Sequence, residues 1–344
     1  MAAWAPRRQH RASRAARAIT EPLLLWALLT AAAGIAWPRA GSAGAGLLPW
    51  LLGAIVFATG VTVPPARLAA ALRRPGRLLL ALIVQFGPLS LLAYVLSRLP
   101  LSTPLSVGIL CIGVAPSEIS AGAITLLAGG DAALGTALMA ASLFCATIVT
   151  PGLLAGYAGN AVPVDRAALG QELALSVGAP LAAALLLRWL FAGLLVRQRT
   201  EEALTLFGEP PSLPMPLPRA DIAPALELVD AVAPAVAALA VLGLLFLVAG
   251  AARPVLLGAD IFAAAAFSLG LNLAGYLAGL ALFRLLREPE LAVRAAVFGL
   301  GMREFGVAAA LAAAVLPAAG AVVAVYGIVI LVTAPLLVRW YRRE

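Results

Sequence analysis

The sequence predicts an all-α integral membrane protein with ten transmembrane helices. Of its 344 residues, 63% are hydrophobic and only 12% are charged. A water-soluble protein of this length needs more polar residues to cover its surface. Apolar runs of about 20 residues, long enough to cross a bilayer, recur along the whole chain. Membrane β-barrels instead show alternating segments of about 10 residues, which are missing here.

The apolar runs define ten predicted spans, which are 19–37, 46–63, 77–98, 104–128, 131–157, 167–196, 229–249, 257–286, 290–314 and 319–341. Residues 1–18 are expected to form a basic cytoplasmic tail. The apolar run that follows is too long for the hydrophobic region of a typical signal peptide. Residues 200–222 are rich in proline and are expected to form an extended cytoplasmic linker within the second half of the chain.

The arginines predict the orientation in the membrane. With the N-terminus in the cytoplasm, 18 arginines fall on the cytoplasmic side and 4 on the outer side. The positive-inside rule therefore predicts that both termini are cytoplasmic. We expect a plasma membrane of the bacterial inner-membrane type. The same pattern accounts for the net charge of +8, so the expected partner is the lipid bilayer and not nucleic acid.

A weak internal repeat relates the two halves of the chain. Residues 148–154 (IVTPGLL) resemble residues 331–337 (LVTAPLL) at an offset of 183 residues. The same offset places 116–118 of the fourth span on 299–301 of the ninth span, and both segments interrupt an apolar helix. Halves of five spans each must be inverted, and helices broken at matching positions indicate a transporter site. The predicted repeats are 19–157 and 167–341.

Helix-breaking residues occupy the middle of both spans. Pro116 lacks an N–H group and is expected to end its helix. Ser117 and Ser120 are candidates to cap the half-helix that follows. The corresponding residues of the ninth span are Gly299, Gly301 and Met302. Freed backbone groups are tolerated at membrane depth only where they face protein or water, so we expect both interruptions to be enclosed.

Glu118, Arg303 and Glu304 lie beside these interruptions and are the main candidate functional residues. A charge at the membrane centre costs about 2.5–3.5 kcal/mol, so these groups must pair, bind a proton or line water. Two interpretations stay open. They form a structural ion pair such as Glu118 with Arg303, or they contact a substrate or a coupling proton.

Other polar residues within the spans carry weaker signals. Gln85 in the third span and Asn272 in the eighth are candidates to bind freed backbone groups or a ligand. The hydroxyl residues Ser142, Thr150 and Thr333 are expected to serve helix packing. The only histidine, His10, lies in the tail, so we expect neither an enzyme nor a metal site, and no cofactor.

The chain resembles the bile acid:sodium symporter family of secondary transporters. The segments that carry the resemblance are 73–87, 113–154, 271–279 and 301–313. Within them Pro116, Gly130-Asp131 and Thr150-Pro151 match the family's helix break, turn and helix end in order and approximate spacing. The resemblance covers residues 20–341.

This resemblance implies a core of spans three to five and eight to ten, and a panel of spans one, two, six and seven. Discontinuous helices four and nine are expected to cross near the membrane centre, where a small organic solute would bind. Movement between panel and core would then give alternating access. Arg303 and the ends of the half-helices suggest an organic anion as the solute.

The departures from the family pattern concern sodium. Side-chain oxygens of sodium-coupled members are replaced here by Ala121, Gly122, Gly135, Met139 and Gly299. A glutamine and an asparagine beside the second break are replaced by Arg303 and Glu304. We therefore expect the guanidinium of Arg303 to take over the charge of a sodium ion, which would make transport sodium-independent. Proton coupling through Glu118 or Glu304 is then the expected alternative.

Two other interpretations remain from the sequence. The first is a sodium-coupled symporter of bile-acid-like or other organic anions, with its sodium ligands relocated. The second is a non-transporting membrane receptor on the same scaffold. Uptake measured in sodium-free buffer distinguishes the first from a sodium-independent carrier.

Overall fold

The computed structural model describes residues 23–73, 75–159, 162–206, 223–251, 253, 257–258 and 260–343. The predicted tail, 1–18, lies outside the described residues. Every regular element in the described part of the chain is helical. In order, the α-helices are α1 Leu23–Ala36, α2 Pro38–Ala43, α3 Leu48–Gly60, α4 Pro65–Leu72, α5 Pro75–Val84, α6 Ser90–Ser97, α7 Thr103–Val114, α8 Ala121–Leu127, α9 Ala132–Ala158, α10 Arg166–Leu173, α11 Ala179–Leu206, α12 Ala223–Ala251, α13 Asp260–Leu285, α14 Glu290–Gly301, α15 Phe305–Val315 and α16 Gly320–Tyr341.

Two pairs of these helices are continuous through a wider π turn. Gln85–Leu89 joins α5 to α6, and Ala174–Gly178 joins α10 to α11. Pro88 has no N–H group to donate to the preceding turn, which accounts for the first of these irregularities.

Six helical segments of the described chain are long and apolar enough to cross a membrane. They are Pro75–Ser97, Ala132–Ala158, Arg166–Ala192, Leu226–Ala251, Asp260–Leu285 and Pro317–Tyr341, and each overlaps a predicted span. Shorter apolar helices occupy the first, second, fourth and ninth predicted spans. Large apolar side chains such as Ile148 (81% exposed) and Phe262 (82% exposed) cover the outside, as lipid contact requires. The protein is an all-α integral membrane protein, while the count of ten spans stays a prediction.

The proline-rich linker within the second half of the chain begins later than predicted. Helix α11 continues to Leu206, so residues 200–206 are helical and not extended. The segment TEEALTL consists largely of good helix formers, and the prolines begin only at Pro210. Residues 207–222 lie outside the described residues.

Helices from the predicted panel pack on one another. Helix α12 contacts α1 and α3, and α3 also contacts α11. The remaining spans form a second group, in which α13 packs on α14 and α16, and α9 packs on α8 and α14. The face of α3 that carries Leu52, Ile55 and Val56 is buried within the protein.

Both predicted interruptions coincide with helix ends. Helix α7 ends at Val114 and α8 begins at Ala121. Ala115 adopts an extended conformation (φ −68°, ψ 149°), as expected for the residue before a proline. Helix α14 ends at Gly301 and α15 begins at Phe305.

The turn after α8 is fixed to neighbouring helices. Gly129 has a positive φ of 69°, a conformation that favours glycine and ends a helix. The Asp131 carboxylate accepts a hydrogen bond from the N–H of Leu134 (3.0 Å), so it caps α9. The Arg294 guanidinium donates to the carbonyl of Ala128 (2.9 Å) at the C-terminal end of α8.

Glycines allow α13 to approach α14 at backbone distance. A Cβ atom at Gly275 would lie 2.4 Å from the carbonyl oxygen of Leu300 and 2.7 Å from Cα of Gly301. One at Gly279 would lie 2.3 Å from the carbonyl oxygen of Ala296. Such small-residue contacts are how helices pack closely in membranes, and here they hold the end of α14 against α13.

We expect Gly275→Ala to destabilise the protein by about 1–3 kcal/mol, because its methyl group would overlap the backbone of α14. Gly270→Ala is the matched control on the same helix, since a Cβ atom at that position would have no neighbour within 4 Å. It should be neutral or stabilising by up to about 1 kcal/mol. Thermal unfolding of the detergent-purified variants measures both effects. Equal melting temperatures would contradict the close packing.

Candidate functional site

The two interruptions meet as a short antiparallel pair of extended segments. Ser117 and Arg303 face each other in this pair. The N–H of Glu118 donates to the carbonyl of Met302 (2.9 Å), and the N–H of Glu304 donates to the carbonyl of Pro116 (2.8 Å). Backbone groups freed by one break are thus satisfied by the other break, inside the protein.

Two carboxylates lie at the N-terminal ends of the half-helices. Glu304 accepts from the N–H of Ile119 through Oε2 (3.0 Å) and from the N–H of Gly306 through Oε1 (3.1 Å). Glu118 accepts from the N–H of Phe305 over a longer distance of 3.4 Å. The N-terminal end of a helix carries a partial positive charge, which stabilises a nearby carboxylate.

The carboxyl groups of Glu118 and Glu304 come together at the crossing, because Glu118 accepts from the residue that follows Glu304 and Glu304 accepts from the residue that follows Glu118. Two adjacent carboxyl groups repel when both are ionised, and a proton bound between them removes this repulsion. Their position between the two breaks gives the site a place to hold that proton.

The predicted serine caps are not formed. Ser120 is the N-cap residue of α8, but its side chain makes no capping hydrogen bond. The Ser117 hydroxyl donates instead to the carbonyl of Gly299. The carboxylate of Glu304 caps α15, where it accepts from the N–H of Gly306 (3.1 Å), and its other oxygen accepts from the N–H of Ile119 ahead of α8 (3.0 Å).

Arg303 lies at the C-terminal end of α7. Its Nη1 donates to the carbonyl of Ala115 (3.1 Å) and its Nη2 to the backbone carbonyl of Gln85 (3.3 Å). The Gln85 side-chain amide is oriented so that its oxygen faces hydrogen-bond donors. In this orientation that oxygen accepts from Arg303 Nη1 (3.1 Å) and from the N–H of Ser117 (2.8 Å). Carbonyl oxygens therefore surround the guanidinium, which is only 5% exposed.

The expected ion pair between Glu118 and Arg303 is not formed. The ion pairs among the described residues are Arg77–Glu288, Arg188–Asp230 and Arg294–Glu290. Arg303 is stabilised by carbonyl oxygens at a helix C-terminus, which carries a partial negative charge, and the acids by N–H groups. Each charge is thus matched to a helix end and not to an opposite charge.

Asn272 and Tyr326 bind the C-terminal end of α14. The Asn272 side chain donates to the carbonyl of Gly301 (2.9 Å) and accepts from the hydroxyl of Thr333 (2.8 Å). The Tyr326 hydroxyl accepts from the backbone N–H of Arg303 (2.9 Å) and donates to Gly301 (3.3 Å). Asn272 therefore binds a freed backbone group, one of its two expected roles.

Several hydroxyl groups for which the sequence predicted only a packing role make hydrogen bonds near the crossing. Ser142 accepts from the N–H of Ser117 (2.8 Å), and Thr150 donates to the carbonyl of Val114 (2.7 Å) at the end of α7. Ser142 and Thr150 therefore bind the first interruption, and Thr333 binds the Asn272 side chain, so all three do more than pack helices. Tyr326 was not identified at all, although a phenol in the middle of an apolar span needs a polar partner.

A cavity of about 400 Å³ opens between the first interruption and helices α3, α12 and α16. Glu118, Ser120 and Met302 line it, together with mainly apolar side chains. The other predicted contact residues are absent from its described lining, namely Gln85, Asn272, Arg303 and Glu304. The structure thus brings all five polar candidates to the crossing, but only Glu118 among them reaches the cavity.

The positions that the resemblance equates with sodium ligands of the family are closely packed here. A Cβ atom at Gly122 would lie 2.5 Å from Oγ1 of Thr136, and one at Gly135 would lie 2.8 Å from Oγ1 of Thr125. A Cβ at Gly299 would lie 3.0 Å from the Leu138 side chain. Larger oxygen-bearing side chains do not fit at Gly122 or Gly135 without displacement of these threonines.

We expect Tyr326→Phe to cost about 1–3 kcal/mol of stability, because it leaves a buried N–H and a buried carbonyl without their hydroxyl partner. Tyr157→Phe is the isosteric control, since its hydroxyl makes only a long contact with Ser90 (3.4 Å). Melting temperatures in detergent compare the two. A Tyr326→Phe variant as stable as the control would show that this hydroxyl is dispensable.

Three relatives share part of this chain. "Uncharacterized sodium-dependent transporter YocS" of Bacillus subtilis (strain 168) is 27% identical over 168 residues, which are 48% of this chain and 52% of that protein. Two proteins named "Probable sodium/metabolite cotransporter BASS1, chloroplastic" are also similar. The one from Oryza sativa subsp. japonica is 30% identical over 35% of this chain and 30% of its own length. The one from Arabidopsis thaliana is 31% identical over 32% and 28%, respectively.

The matched regions therefore span about half of the bacterial relative and less than a third of each plant relative. A family model described as the Sodium Bile acid symporter family matches residues 49–253, which include α3, α7 to α9 and the first interruption. This is a family of membrane transporters and not of enzymes. Because the match covers more than half of an apolar, all-helical chain, the protein belongs to the sodium bile acid symporter family.

Proposed function

We propose that this protein is a secondary active transporter that moves a small organic solute across the membrane by alternating access. The observation that carries the proposal is the cavity of about 400 Å³ at the crossing of two interrupted helices within a membrane protein. Backbone interruptions at membrane depth are found where they line a binding site or a water-filled cavity. The transport function in the names of the relatives points in the same direction.

The proposed topology has ten spans in two inverted repeats, 19–157 and 167–341, with both termini in the cytoplasm of a bacterial-type plasma membrane. Each half supplies one interrupted segment. Each half also supplies one amide, Gln85 or Asn272, that contacts the crossing. This correspondence supports the repeat, since two related halves would place equivalent partners at equivalent breaks.

The proposed movement is between two groups of helices. The cavity has one wall from α3 and α12 of the panel and another from α8, α9 and α16 of the core. A cavity between two rigid groups opens to alternate sides when one group rocks against the other. A receptor on the same scaffold would not need a cavity that opens to alternate sides of the membrane.

Labelling from the two sides of the membrane tests this movement. In a Cys111→Ala, Cys145→Ala background, we expect Ala123→Cys to react with a membrane-impermeant maleimide in both right-side-out and inside-out vesicles. Ala123 lines the cavity, whereas Ile148→Cys is a control whose side chain faces lipid. Reaction of Ala123→Cys from one side only would contradict alternating access and favour a receptor.

We also propose that transport does not depend on sodium. Sodium requires a shell of oxygen ligands, and the guanidinium of Arg303 already binds the oxygens of Ala115 and Gln85. A fixed positive charge at this place supplies the stabilisation that a bound cation would supply. The packing of Gly122 and Gly135 supports the same conclusion.

A proton is the proposed coupling ion. Glu118 and Glu304 lie together between the breaks, and Glu118 reaches the cavity. Binding or release of one proton at this pair changes the charge that faces the solute. Glu304 is occupied by two backbone N–H groups, so Glu118 is the partner that exchanges the proton with the cavity.

Sodium dependence is tested by thermal stability in NaCl and KCl of equal concentration. We expect the same melting temperature for the native protein, whereas sodium at ten times its Kd would stabilise it by about 1.4 kcal/mol. Arg303→Gln should lose about 1–3 kcal/mol for each buried carbonyl left unpaired, and sodium should restore part of this loss.

Arg188→Gln provides the control for a lost arginine, because it removes an ion pair with Asp230 (2.8 Å) away from the crossing. It should show no difference between the two salts. Stabilisation of the native protein by sodium over potassium would instead support sodium-coupled symport, the function in the names of the relatives.

A further inference from the structure

The end of the half-helix α8 that lies away from the crossing is held by two arginines from the second half of the chain. The Arg294 guanidinium of α14 donates through Nη1 to the carbonyl of Ala128 (2.9 Å). Arg342, which follows α16, donates through Nε to the carbonyl of Leu127 (2.8 Å). Leu127 is the last residue of α8 and Ala128 is its C-cap, so both arginines bind a helix end that carries a partial negative charge.

Helix α8 depends on such contacts because it is short. Its seven residues, Ala121–Leu127, form only about two turns. A helix of this length is marginal by itself, so its position is decided by the groups that bind its ends and its faces. Its N-terminal end is joined to the crossing, where the N–H of Ile119 donates to Glu304. The two arginines bind the other end.

Both arginines belong to one group of side chains at the ends of α14 and α16. The Arg294 guanidinium lies 4.8 Å from the centre of the Tyr341 ring, and Tyr341 directly precedes Arg342. The turn after α8 is bound at the same place, since the N–H of Asp131 donates to the carbonyl of Leu291 in α14 (2.8 Å). We call Arg294, Tyr341 and Arg342 the clamp of α8.

The helix held by the clamp is also a wall of the cavity. Four of its residues line the cavity, namely Gly122, Ala123, Ile124 and Leu126. Its other face packs against α9, where Thr125 is 0% exposed and its Oγ1 would lie 2.8 Å from a Cβ atom at Gly135. A displacement of α8 at its clamped end would therefore change the shape of the cavity and expose Thr125.

We propose that Arg294 and Arg342 are positioning residues of the cavity: they fix the half-helix α8, and with it one wall, from the ends of α14 and α16. On the proposed topology these ends face the cytoplasm. The inference rests on the proposed transport function, and it adds that residues outside the cavity set its shape. Neither arginine is among the described residues that line the cavity, so both act through α8.

Accessibility of a buried thiol tests the clamp. In a Cys145→Ala background, Thr125→Cys places a thiol on the buried face of α8, while the native Cys111 (0% exposed) lies in the preceding half-helix α7. We expect Arg342→Gln to raise the rate of maleimide labelling at Thr125→Cys about 10-fold in detergent-purified protein. Loss of a charge-assisted hydrogen bond increases local opening of a helix by this order. Cys111 should stay unlabelled, and peptide mass spectrometry distinguishes the two thiols.

Arg343→Gln is the matched control, because it removes an exposed positive charge beside the clamp. It should leave the labelling rate at its native value. Arg342→Lys keeps a charged donor near the carbonyl of Leu127 and should restore most of the protection. Unchanged labelling of Thr125→Cys in the Arg342→Gln variant would overturn the inference. An equal rise at Cys111 would also overturn it, since it would indicate general loosening and not release of α8.

The transport proposal and this inference fail separately. Labelling at Thr125→Cys is measured in detergent, where the two sides of the membrane are not distinguished. Unchanged labelling there would remove the clamp and leave the proposed transporter. Labelling of Ala123→Cys from one side of vesicles only would contradict alternating access and leave the clamp in place.

Discussion

Helix ends that stop inside a membrane protein must find partners for their N–H and C=O groups without bulk water, and this constraint organises the whole site. Here the two interrupted segments supply each other. Glu304 binds the N–H of Ile119 in the first interruption and that of Gly306 in α15, while Arg303 binds the carbonyl of Ala115 at the end of α7. The backbone pair between Ser117 and Arg303 joins these contacts. Neither interruption is complete without the other, so the crossing acts as one unit.

The same constraint divides the charged residues into two roles. Glu304 is 1% exposed and accepts two backbone hydrogen bonds, and Arg303 is enclosed by carbonyl oxygens, so both serve the fold of the crossing. Glu118 accepts a long hydrogen bond from the N–H of Phe305 (3.4 Å) and borders the cavity. A carboxylate at the edge of a cavity is suited to bind and release a proton. The division explains why the proposed coupling falls to Glu118.

A guanidinium differs from a sodium ion in one decisive respect: it is covalently attached and cannot leave. On the proposed mechanism the charge of Arg303 is a permanent part of the structure. The binding and release of an ion that drives transport then takes place at Glu118 and Glu304. The small residues Gly122 and Gly135 fit this assignment, because the adjacent threonines fill the space that ligand side chains would need. The charge that holds the site and the charge that changes during transport are then carried by different groups.

The sequence by itself determined the features that depend on local pattern. Apolar length predicted the membrane helices, and Pro116 and the glycines of the ninth span predicted the positions of the breaks. The sequence also identified Glu118, Arg303 and Glu304 as the charged residues beside the breaks. Only the tertiary structure decided which charge meets which partner, because the donors and acceptors of Arg303 and Glu304 are backbone groups of segments almost 190 residues distant in sequence. Side-chain types alone suggested an ion pair. The way in which the four helix ends meet, which residue types do not reveal, decided that the acids bind N–H groups and the arginine binds carbonyls.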